Sequence, residues 1–225
     1  MFLQKLQKVM LGLSLSLAIS VHAAEIGGYE DQIKNLSSDE KSQLEAGQVL
    51  AFIGEKVKGY SWKPNIFYVV IPTSIERVVA AYWDVTDIKR YNSKINWVKI
   101  VSRSGNRTEA DYEISAPLVG STTYTITTNM NHDNNFNSYK FNYAVSKSSF
   151  MKKTDGTTVF APIDGGRTLM KTTQIADPAW ALTIIPGSQS RARKEAGVAL
   201  NAFVKNGPFG PNYKNQIMEF NKSTK

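Results

Sequence analysis

Residues 94–176 carry one strand pattern after another. The alternation of apolar and polar residues is clearest in STTYTITTNM at 121–130, where Tyr124, Ile126 and Met130 share a face and threonines occupy the other. Short turns rich in Gly and Asn separate the segments, so consecutive strands should pair antiparallel in a single sheet. Because the strands alternate, one face of this sheet has to be covered by another element.

A single long helix is predicted after the last strand, over 188–205, and it is the only sizeable element able to cover that face. Asn206, Gly207 and Pro208 end it with residues typical of helix C-termini. Small residues on a helix that faces a core either allow close packing or leave room between helix and sheet. The order of elements predicts an α+β fold, a curved antiparallel sheet wrapped around a long C-terminal helix. The apolar stripe of this helix is rich in small side chains: Ala192, Ala196, Ala199, Leu200 and Phe203.

Other patterns precede or interrupt these elements. A strand is predicted over 48–58 and a second, buried strand over 65–71, where NIFYVVI is β-branched and aromatic. Two short helices follow, the first opening at Pro72 and the second capped by Asp84. Within the sheet region, TDGT at 154–157 predicts a hairpin turn.

Two segments carry a family resemblance. IPTSIERVVAAYWDVTDIKRYNSKINWVKIV at 71–101 contains a strand, a Pro, a helix with Val and Trp, an Asp and Tyr, and a further strand. ADPAWALTIIP at 176–186 contains an Asp-Pro and an apolar Ile-Pro loop before the long helix. These segments resemble the opening and the late part of START domains in the START-like, or Bet v 1-like, helix-grip superfamily (SRPBCC). The resemblance extends over about 65–220, and the strand at 48–58 fits the START-type lipid-binding branch better than the shortest members.

The resemblance implies a hydrophobic cavity between the sheet and the terminal helix. Members of the superfamily bind lipids, sterols, hormones or polyketides, and a minority catalyse cyclisation or hydrolysis. A fold shared by such different proteins does not by itself decide the function.

The N-terminus has the pattern of a signal peptide. Lys5 and Lys8 precede an apolar run over 9–21, which is shorter than the roughly 20 residues that span a bilayer. Small residues precede position 24, so the chain is expected to be cleaved there and to be periplasmic or secreted. The predicted organisation is a signal peptide over 1–23, a leader with a short helix over 24–47, a START-like domain over 48–212 and a polar tail over 213–225.

The composition and the motifs of the chain exclude several classes of function. The chain has no cysteine, which excludes thiol catalysis and thiolate metal sites. Its formal charge is +8, but no run of five or more basic residues occurs, so contact with an anionic membrane is favoured over nucleic acid. His132 lies in a polar turn, and Asp111 and Glu113 alternate with apolar residues, so all three are expected to face solvent. No catalytic, metal or cofactor site is predicted.

The candidate ligand-binding residues are apolar and aromatic side chains expected to face the helix, on the helix, or in the loop before it. Tyrosine suits such a site because it offers apolar area and a hydroxyl. The same stripes also fit a filled core, and the loop at 180–185 fits either a lid over the cavity or a segment packed on the sheet edge. The candidates are Tyr112, Ile114, Tyr124, Ile126, Tyr139, Phe141, Tyr143, Trp180, Ile184, Ala196, Leu200 and Phe203.

Three functions remain open from the sequence. The first is a carrier that holds a lipid or other hydrophobic small molecule and makes transient contact with an anionic membrane surface. The second is a cyclase- or hydrolase-type enzyme acting in the same cavity, which predicts at least one inward acid–base pair. The third is an accessory module without a cavity, whose basic surface binds a partner or a membrane. An inward-pointing Lys171 would favour an anionic ligand or catalysis.

Overall fold

A computed structural model of the chain describes residues 26–116, 120–148, 151–179 and 186–207. The predicted signal peptide, the apolar loop with Trp180, Leu182, Ile184 and Ile185, and the predicted polar tail lie outside the described residues.

Eight strands form one antiparallel sheet in the order β1-β2-β8-β7-β6-β5-β4-β3. Irregular register on β3–β4, β5–β6 and β7–β8 introduces bulges, which bend a sheet and increase its twist. The strands are β1 Leu50–Ile53, β2 Asn65–Ile71, β3 Ile95–Ser104, β4 Arg107–Ala116, β5 Gly120–Asp133, β6 Ser138–Ser148, β7 Met151–Ile163 and β8 Arg167–Pro178.

The helices lie on both faces of this sheet. Helix α4 and helix α3 cover the face that we call the inner face, and the short helices α1 and α2 cover the outer face. None of the described helices is both long and apolar enough to span a membrane. The helices are α1 Tyr29–Ile33, α2 Ser38–Glu45, α3 Ile75–Trp83, a 3₁₀ helix Val85–Arg90 and α4 Ser188–Asn206.

The main core lies between the inner face and α3. Val78 and Val79 of α3 are fully buried, and Phe141 and Phe160 of the sheet are buried with them. At its C-terminal end, α4 adds Phe203 to this core. This cluster joins the two inner helices to the middle of the sheet, and the architecture is the predicted curved sheet around a C-terminal helix.

The outer face has a smaller core formed by the N-terminal segment. Ser37 and Glu40 form a reciprocal capping box at the start of α2, which satisfies backbone groups that the first turn leaves free. Leu44 of this helix is completely buried against Tyr68 and Leu169 of the sheet. From residue 26 onward, the predicted N-terminal leader is therefore an ordered part of the fold, with two short helices.

Two predicted elements differ from the structure. The strand predicted over 48–58 is limited to β1 Leu50–Ile53, since the pairing with β2 ends where Ile53 lies opposite Asn65. The hairpin predicted at 154–157 is wrong, because β7 runs through these residues and Gly156 pairs with Tyr143 in mid-strand.

Candidate functional site

A cavity of about 530 Å³ lies between the inner face of the sheet and α4. Its size is within the range of ligand sites for small molecules. Strand residues form its walls, and these include Asn65, Ile95, Ile114, Tyr124, Gln174 and Ala176. Alanines of α4 form its roof, at positions Ala192, Ala196, Ala199 and Ala202.

The cavity exists because α4 is held to the sheet unevenly. Near its C-terminus Phe203 is only 3% exposed, and its ring lies 4.8 Å from the ring of Tyr91. Near its N-terminus Gln189 Nε2 donates to the carbonyl of Lys63 at 2.9 Å. Between these two attachments the alanines are too short to reach the strands and stay only half-buried. Space is therefore left under the middle of the helix.

One wall of the cavity is apolar and aromatic. Ile95, Ile114 and Tyr124 line it, on three adjacent strands. Tyr112 lies behind them, with its ring stacked on Tyr124 at 5.3 Å and an interplanar angle of 4°. Burial raises the pKa of both tyrosines, so both phenols stay neutral at physiological pH.

The opposite wall carries two carboxamides. Asn65 and Gln174 are directly opposed across β2 and β8, and both line the cavity. Asn65 is 5% exposed, and its Oδ1 has no hydrogen-bond donor within reach among the described residues. A buried acceptor without a donor costs free energy, which makes this atom unusual in a folded protein.

The rim of the cavity is positively charged. Lys63, Lys89, Arg90 and Lys94 are exposed around it, and Glu195 of α4 is the acid among the described residues that line it. Arg90 also lies 3.6 Å from Asp87 on the same 3₁₀ helix. These charges remain solvated, so the charged groups of the site lie at its edge and not in its interior.

Apart from Tyr143, the predicted ligand residues fall into three groups. Ile114, Tyr124 and Ala196 line the cavity, and Tyr112 and Ile126 pack in the cluster behind its apolar wall. A second group lies in the main core or packs against it: Tyr139, Phe141, Leu200 and Phe203. Trp180 and Ile184 lie outside the described residues.

Tyr143 occupies a separate position on the inner face. Its ring lies against Gly156 of β7, away from the cavity lining. Burial raises the pKa of this tyrosine, and a hydrogen bond with Thr172 opposes the shift.

Three parts of the lining were not predicted from sequence. The 3₁₀ helix and the residues after it, up to Lys94, form one side of the rim, and Trp62 of the β1–β2 connection lies near the opposite strand ends. Asn65 and Gln174 are the third part. A signal for Asn65 was present, because it is a polar residue in phase with Phe67 and Val69 on a buried strand.

Lys171 lies on the outer face, away from the cavity. Its Nζ donates to the carbonyl of Gln32 at 3.3 Å and lies 5.3 Å from the centre of the Tyr68 ring. Burial lowers the pKa of this amine, and Lys34 lowers it further. Lys171 therefore does not point into the cavity, so it does not favour an anionic ligand or catalysis there.

The other polar residues considered from sequence have structural partners. Asp111 accepts a hydrogen bond from Thr125 Oγ1 at 2.6 Å, and Glu113 accepts one from Asn96 Nδ2 at 2.8 Å. His132 is exposed and stacks on Tyr139 at 4.1 Å. In the part of the chain that the structure describes, no group of three or more acidic or histidine side chains could hold a metal ion.

Comparison with known proteins gives a likeness in structure alone. No protein-family model matches the sequence, and no curated protein matches it significantly. The structure is similar to human STARD10, with a TM-score of 0.60 and 10% identity over 76% of this chain and 74% of that one. It is also similar to a STAR-related lipid transfer protein from Xanthomonas axonopodis, with a TM-score of 0.58 and 12% identity over 70% and 93% of the two chains. A third similar structure is the lipid transfer and protein localization domain of human StarD13, with a TM-score of 0.51 and 9% identity over 79% and 98%.

These likenesses define the class to which the architecture belongs. The chain has the α+β helix-grip fold of the START-like superfamily (SRPBCC), as its sequence segments indicated. At 9–12% identity the similarity establishes the fold.

Proposed function

We propose that this protein is an exported carrier that holds a lipid or other hydrophobic small molecule between the sheet and α4. The observation that carries the proposal is the cavity of about 530 Å³ under the alanine stripe of the helix. Two of the similar proteins, the Xanthomonas axonopodis protein and the human StarD13 domain, are named for lipid transfer, which agrees with such a role.

The driving force for binding would be burial of the ligand's apolar surface. Ile95, Ile114 and Tyr124 offer an apolar wall, and the alanines of α4 offer an apolar roof. Each Å² of apolar ligand surface removed from water contributes about 25 cal/mol. A preformed space also spares the ligand the free energy of separating packed side chains.

The polar groups of the cavity favour binding over acid–base catalysis. Those in the described interior are Tyr124, Asn65 and Gln174, while the charged lining residues are exposed at the rim. A general acid–base mechanism needs a group that exchanges protons near neutral pH. A neutral carboxamide does not, and burial raises the pKa of Tyr124 away from that range.

The presence of the cavity also favours a carrier over an accessory module with a filled interior. A filled module needs large side chains on the helix face that meets the sheet. In α4 this face carries Ala192, Ala196 and Ala199, which leave the space open.

Export and membrane contact are further parts of the proposal. The signal-peptide pattern at 1–23 supports export, and the basic rim at Lys63, Lys89, Arg90 and Lys94 supports transient contact with an anionic membrane surface. Docking the rim on such a surface would bring the cavity opening to the source of an apolar ligand.

The proposal can be tested with Nile red, an uncharged dye that fluoresces in apolar surroundings. The cavity is filled by Ala196→Leu together with Ala199→Leu, and the control is Asn201→Leu, which adds a similar side chain at an exposed position of the same helix. We expect the wild type and the control to bind the dye alike, and the filled variant to bind at least tenfold more weakly. Equal binding by the filled variant, or no binding by the wild type, would contradict the proposal.

The natural ligand can be sought by native mass spectrometry of protein purified from its own host, followed by lipid extraction. A stoichiometric apolar passenger that is absent from the filled variant would support the carrier. A mass equal to that of the bare chain in both preparations would count against it.

A further inference from the structure

A second cavity lies on the outer face of the sheet, where the N-terminal segment lies beside β6, β7 and β8. Its volume is about 220 Å³. A water molecule takes roughly 30 Å³ in the liquid, so there is room for a small polyatomic ion and some water. The sheet separates this space from the cavity under α4, and we call it the outer cavity. It is lined by Ile26, Gln32, Lys140, Thr157, Val159, Lys171 and Thr173.

Two lysines reach the outer cavity from opposite sides. Lys140 of β6 and Lys171 of β8 are both paired with Val159 of β7, so the three side chains lie on the same face of the sheet. Neighbouring strands are about 4.8 Å apart, which places the two lysine Cα atoms roughly 10 Å from each other. Because both side chains line the space above Val159, an ion bound there can contact both amines.

The ammonium group of Lys171 is half-buried and lacks a carboxylate partner. Its Nζ donates to the carbonyl of Gln32 at 3.3 Å and lies 5.3 Å from the centre of the Tyr68 ring, and both of these groups are uncharged. Among the described residues, no acid forms an ion pair with Lys171 or Lys140. Burial, followed by the charge of Lys34, lowers the pKa of Lys171. A half-buried cation in these surroundings is stabilised by an anion that reaches it.

The described acids beside the outer cavity are engaged by other donors. Asp133 accepts the backbone N–H of Ile26 at 2.9 Å and thereby holds the segment that walls the cavity. Glu40 takes part in the capping box of α2, and Asp155 pairs with Lys153 at 3.3 Å. The positive charge of the two lysines in the lining is therefore left for a ligand.

Two threonine hydroxyls add further donors to the lining. Thr157 and Thr173 are directly opposed on β7 and β8, and each lies two residues from Val159 or Lys171 on the same face. A threonine hydroxyl offers one hydrogen-bond donor and an ammonium group offers three. Four donor-bearing side chains around one space suit a tetrahedral oxyanion, whose four oxygens point in different directions, better than a carboxylate with two oxygens.

We propose that the outer cavity binds a phosphate or sulfate group between Lys140 and Lys171, with the hydroxyls of Thr157 and Thr173 as further donors. The free inorganic ion and the end of a phosphate monoester share this chemistry, because both present the same oxygens. The site does not depend on the carrier function, since it lies on the opposite side of the sheet from the cavity under α4.

Equilibrium dialysis of radiolabelled inorganic phosphate against the protein, at constant ionic strength, tests the site directly. We expect saturable binding of one phosphate per chain. Lys171→Met and Lys140→Met should each weaken this binding about tenfold, as the loss of one charge-assisted hydrogen bond predicts. Lys147→Met, which removes an exposed lysine of β6 outside the outer cavity, is the control and should bind phosphate as the wild type does.

Reductive methylation locates the bound ion without any substitution. Formaldehyde with cyanoborohydride modifies amines in their unprotonated form, and mass spectrometry follows each lysine separately. We expect phosphate to slow the modification of Lys171 and Lys140 by about threefold or more relative to chloride at the same ionic strength, because the bound anion covers both amines and favours their charged form. The modification of Lys147 should be equally fast in both salts.

Competition against labelled phosphate defines the ligand. Sulfate should compete and acetate should compete about tenfold less well, since acetate has two oxygens and a single charge. Strong competition by glycerol phosphate would support the site and assign it to a phosphate monoester, whereas competition by the inorganic ions alone would support it as a site for the free ion. Acetate competing as well as sulfate would overturn the choice of a tetrahedral group.

Three results would overturn the site itself. The first is the absence of saturable phosphate binding by the wild type, which decides the matter even if a variant does not fold. The second is equal weakening of phosphate binding in Lys147→Met and in the two variants of the outer cavity. The third is methylation of Lys171 that phosphate does not slow.

Discussion

The ring of Tyr143 on β6 occupies the space that a side chain at Gly156 on β7 would need. The two residues are directly opposed in the sheet, and a Cβ placed on Gly156 would lie 2.2 Å from Tyr143 Cζ. Gly156→Ala should therefore force the tyrosine or the strand to move, and overpacking of this kind typically costs about 1–3 kcal/mol. Urea denaturation monitored by circular dichroism would measure the loss in the free energy of unfolding.

The matched control is the same substitution at Gly197 in α4. Among the residues that the structure describes, an added Cβ there would meet Phe67, at an ordinary distance of 4.0 Å. Alanine is favoured over glycine in a helix interior by up to about 1 kcal/mol, so Gly197→Ala should raise the free energy of unfolding. A Gly156→Ala protein as stable as the wild type would contradict the close packing on Tyr143.

The same glycine shows why the local sequence was misleading about β7. TDGT is typical of a tight turn, but the pattern says nothing about a tyrosine on the neighbouring strand. Here the glycine is required because Tyr143 crosses over it. The alternation of apolar and polar residues in other strands, such as Tyr124 and Ile126 on β5, predicted the sheet well because it depends only on which face is buried.

A cluster of polar side chains ties α1 and α2 to the start of β8. Tyr29 donates to Glu45 at 2.6 Å, and Arg167 Nη1 lies 2.6 Å from the other carboxylate oxygen of Glu45. The hydrogen bond from Tyr29, followed by that from Arg167, lowers the pKa of Glu45 below its ordinary value of 4.5. The carboxylate therefore stabilises the fold above about pH 4.5, and this contribution is lost as the pH falls through the lower pKa of the folded state.

Glu45→Gln tests this dependence. At pH 7 we expect the free energy of unfolding to fall by at most about 1 kcal/mol, because the cluster is largely exposed to solvent. At pH 3 the difference from the wild type should shrink. Glu55→Gln, at an exposed position between β1 and β2, is the control and should differ little from the wild type at either pH. A Glu45→Gln effect that is equal at both pH values would mean that the charge is not involved.

A chain of hydroxyls crosses the core under α3. Tyr82 Oη lies 3.0 Å from Thr158 Oγ1, which lies 2.9 Å from Thr172 Oγ1, and Thr172 donates to the carbonyl of Thr157 at 3.3 Å. Thr158 is completely buried. Replacing it with Val keeps the shape but leaves the Tyr82 hydroxyl without this partner, so Thr158→Val should cost about 1–3 kcal/mol.

A double-mutant cycle separates the hydrogen bond from packing. Tyr82→Phe keeps the ring contacts with Phe141 and Phe160, at 5.0 and 5.1 Å, and removes only the hydroxyl. In the Tyr82→Phe background, Thr158→Val should cost clearly less than in the wild type, as measured by urea denaturation of all four proteins. Additive losses would show that the two hydroxyls do not interact.

More of the fold than of the candidate site could be predicted from the sequence. The alternation of apolar and polar residues in the strands and the apolar stripe on α4 both follow from which side chains are buried. This was enough to predict which residues lie on the inner face. The sequence could not indicate where α4 touches the sheet and where it stands away. Phe203 fills its space, whereas Ala196, in the same predicted stripe, leaves a gap. The side on which Lys171 lies was equally undetermined, because α1 and α2 cover the outer face and both faces of β8 are therefore partly buried.

The connection between β1 and β2 runs beside the cavity and is held by carboxylates of the sheet. Asp177 accepts hydrogen bonds from the side chain and the backbone N–H of Ser61, and Tyr60 donates to Asp155. Trp62, the next residue along, lines the cavity and donates its backbone N–H to the carbonyl of Ala176 at 3.3 Å. Without the Asp177 carboxylate this connection should open locally more often, while the bond from Tyr60 continues to restrain it.

Limited proteolysis with trypsin would detect this opening, since Lys56 and Lys58 lie within the connection. In Asp177→Ala we expect cleavage at these two lysines to be about fivefold faster, because the hydrogen bonds from Ser61 that hold the connection closed are lost. Asp164→Ala, in the exposed turn between β7 and β8, is the control and should be cleaved at the wild-type rate. The hydrogen bonds from Ser61 lower the pKa of Asp177, so the wild type should itself become easier to open as the pH falls below about 3.8, which an acid-stable protease can measure. If Asp177→Ala were cut no faster than the control, the hydrogen bonds from Ser61 to Asp177 would not be what holds the connection beside the cavity.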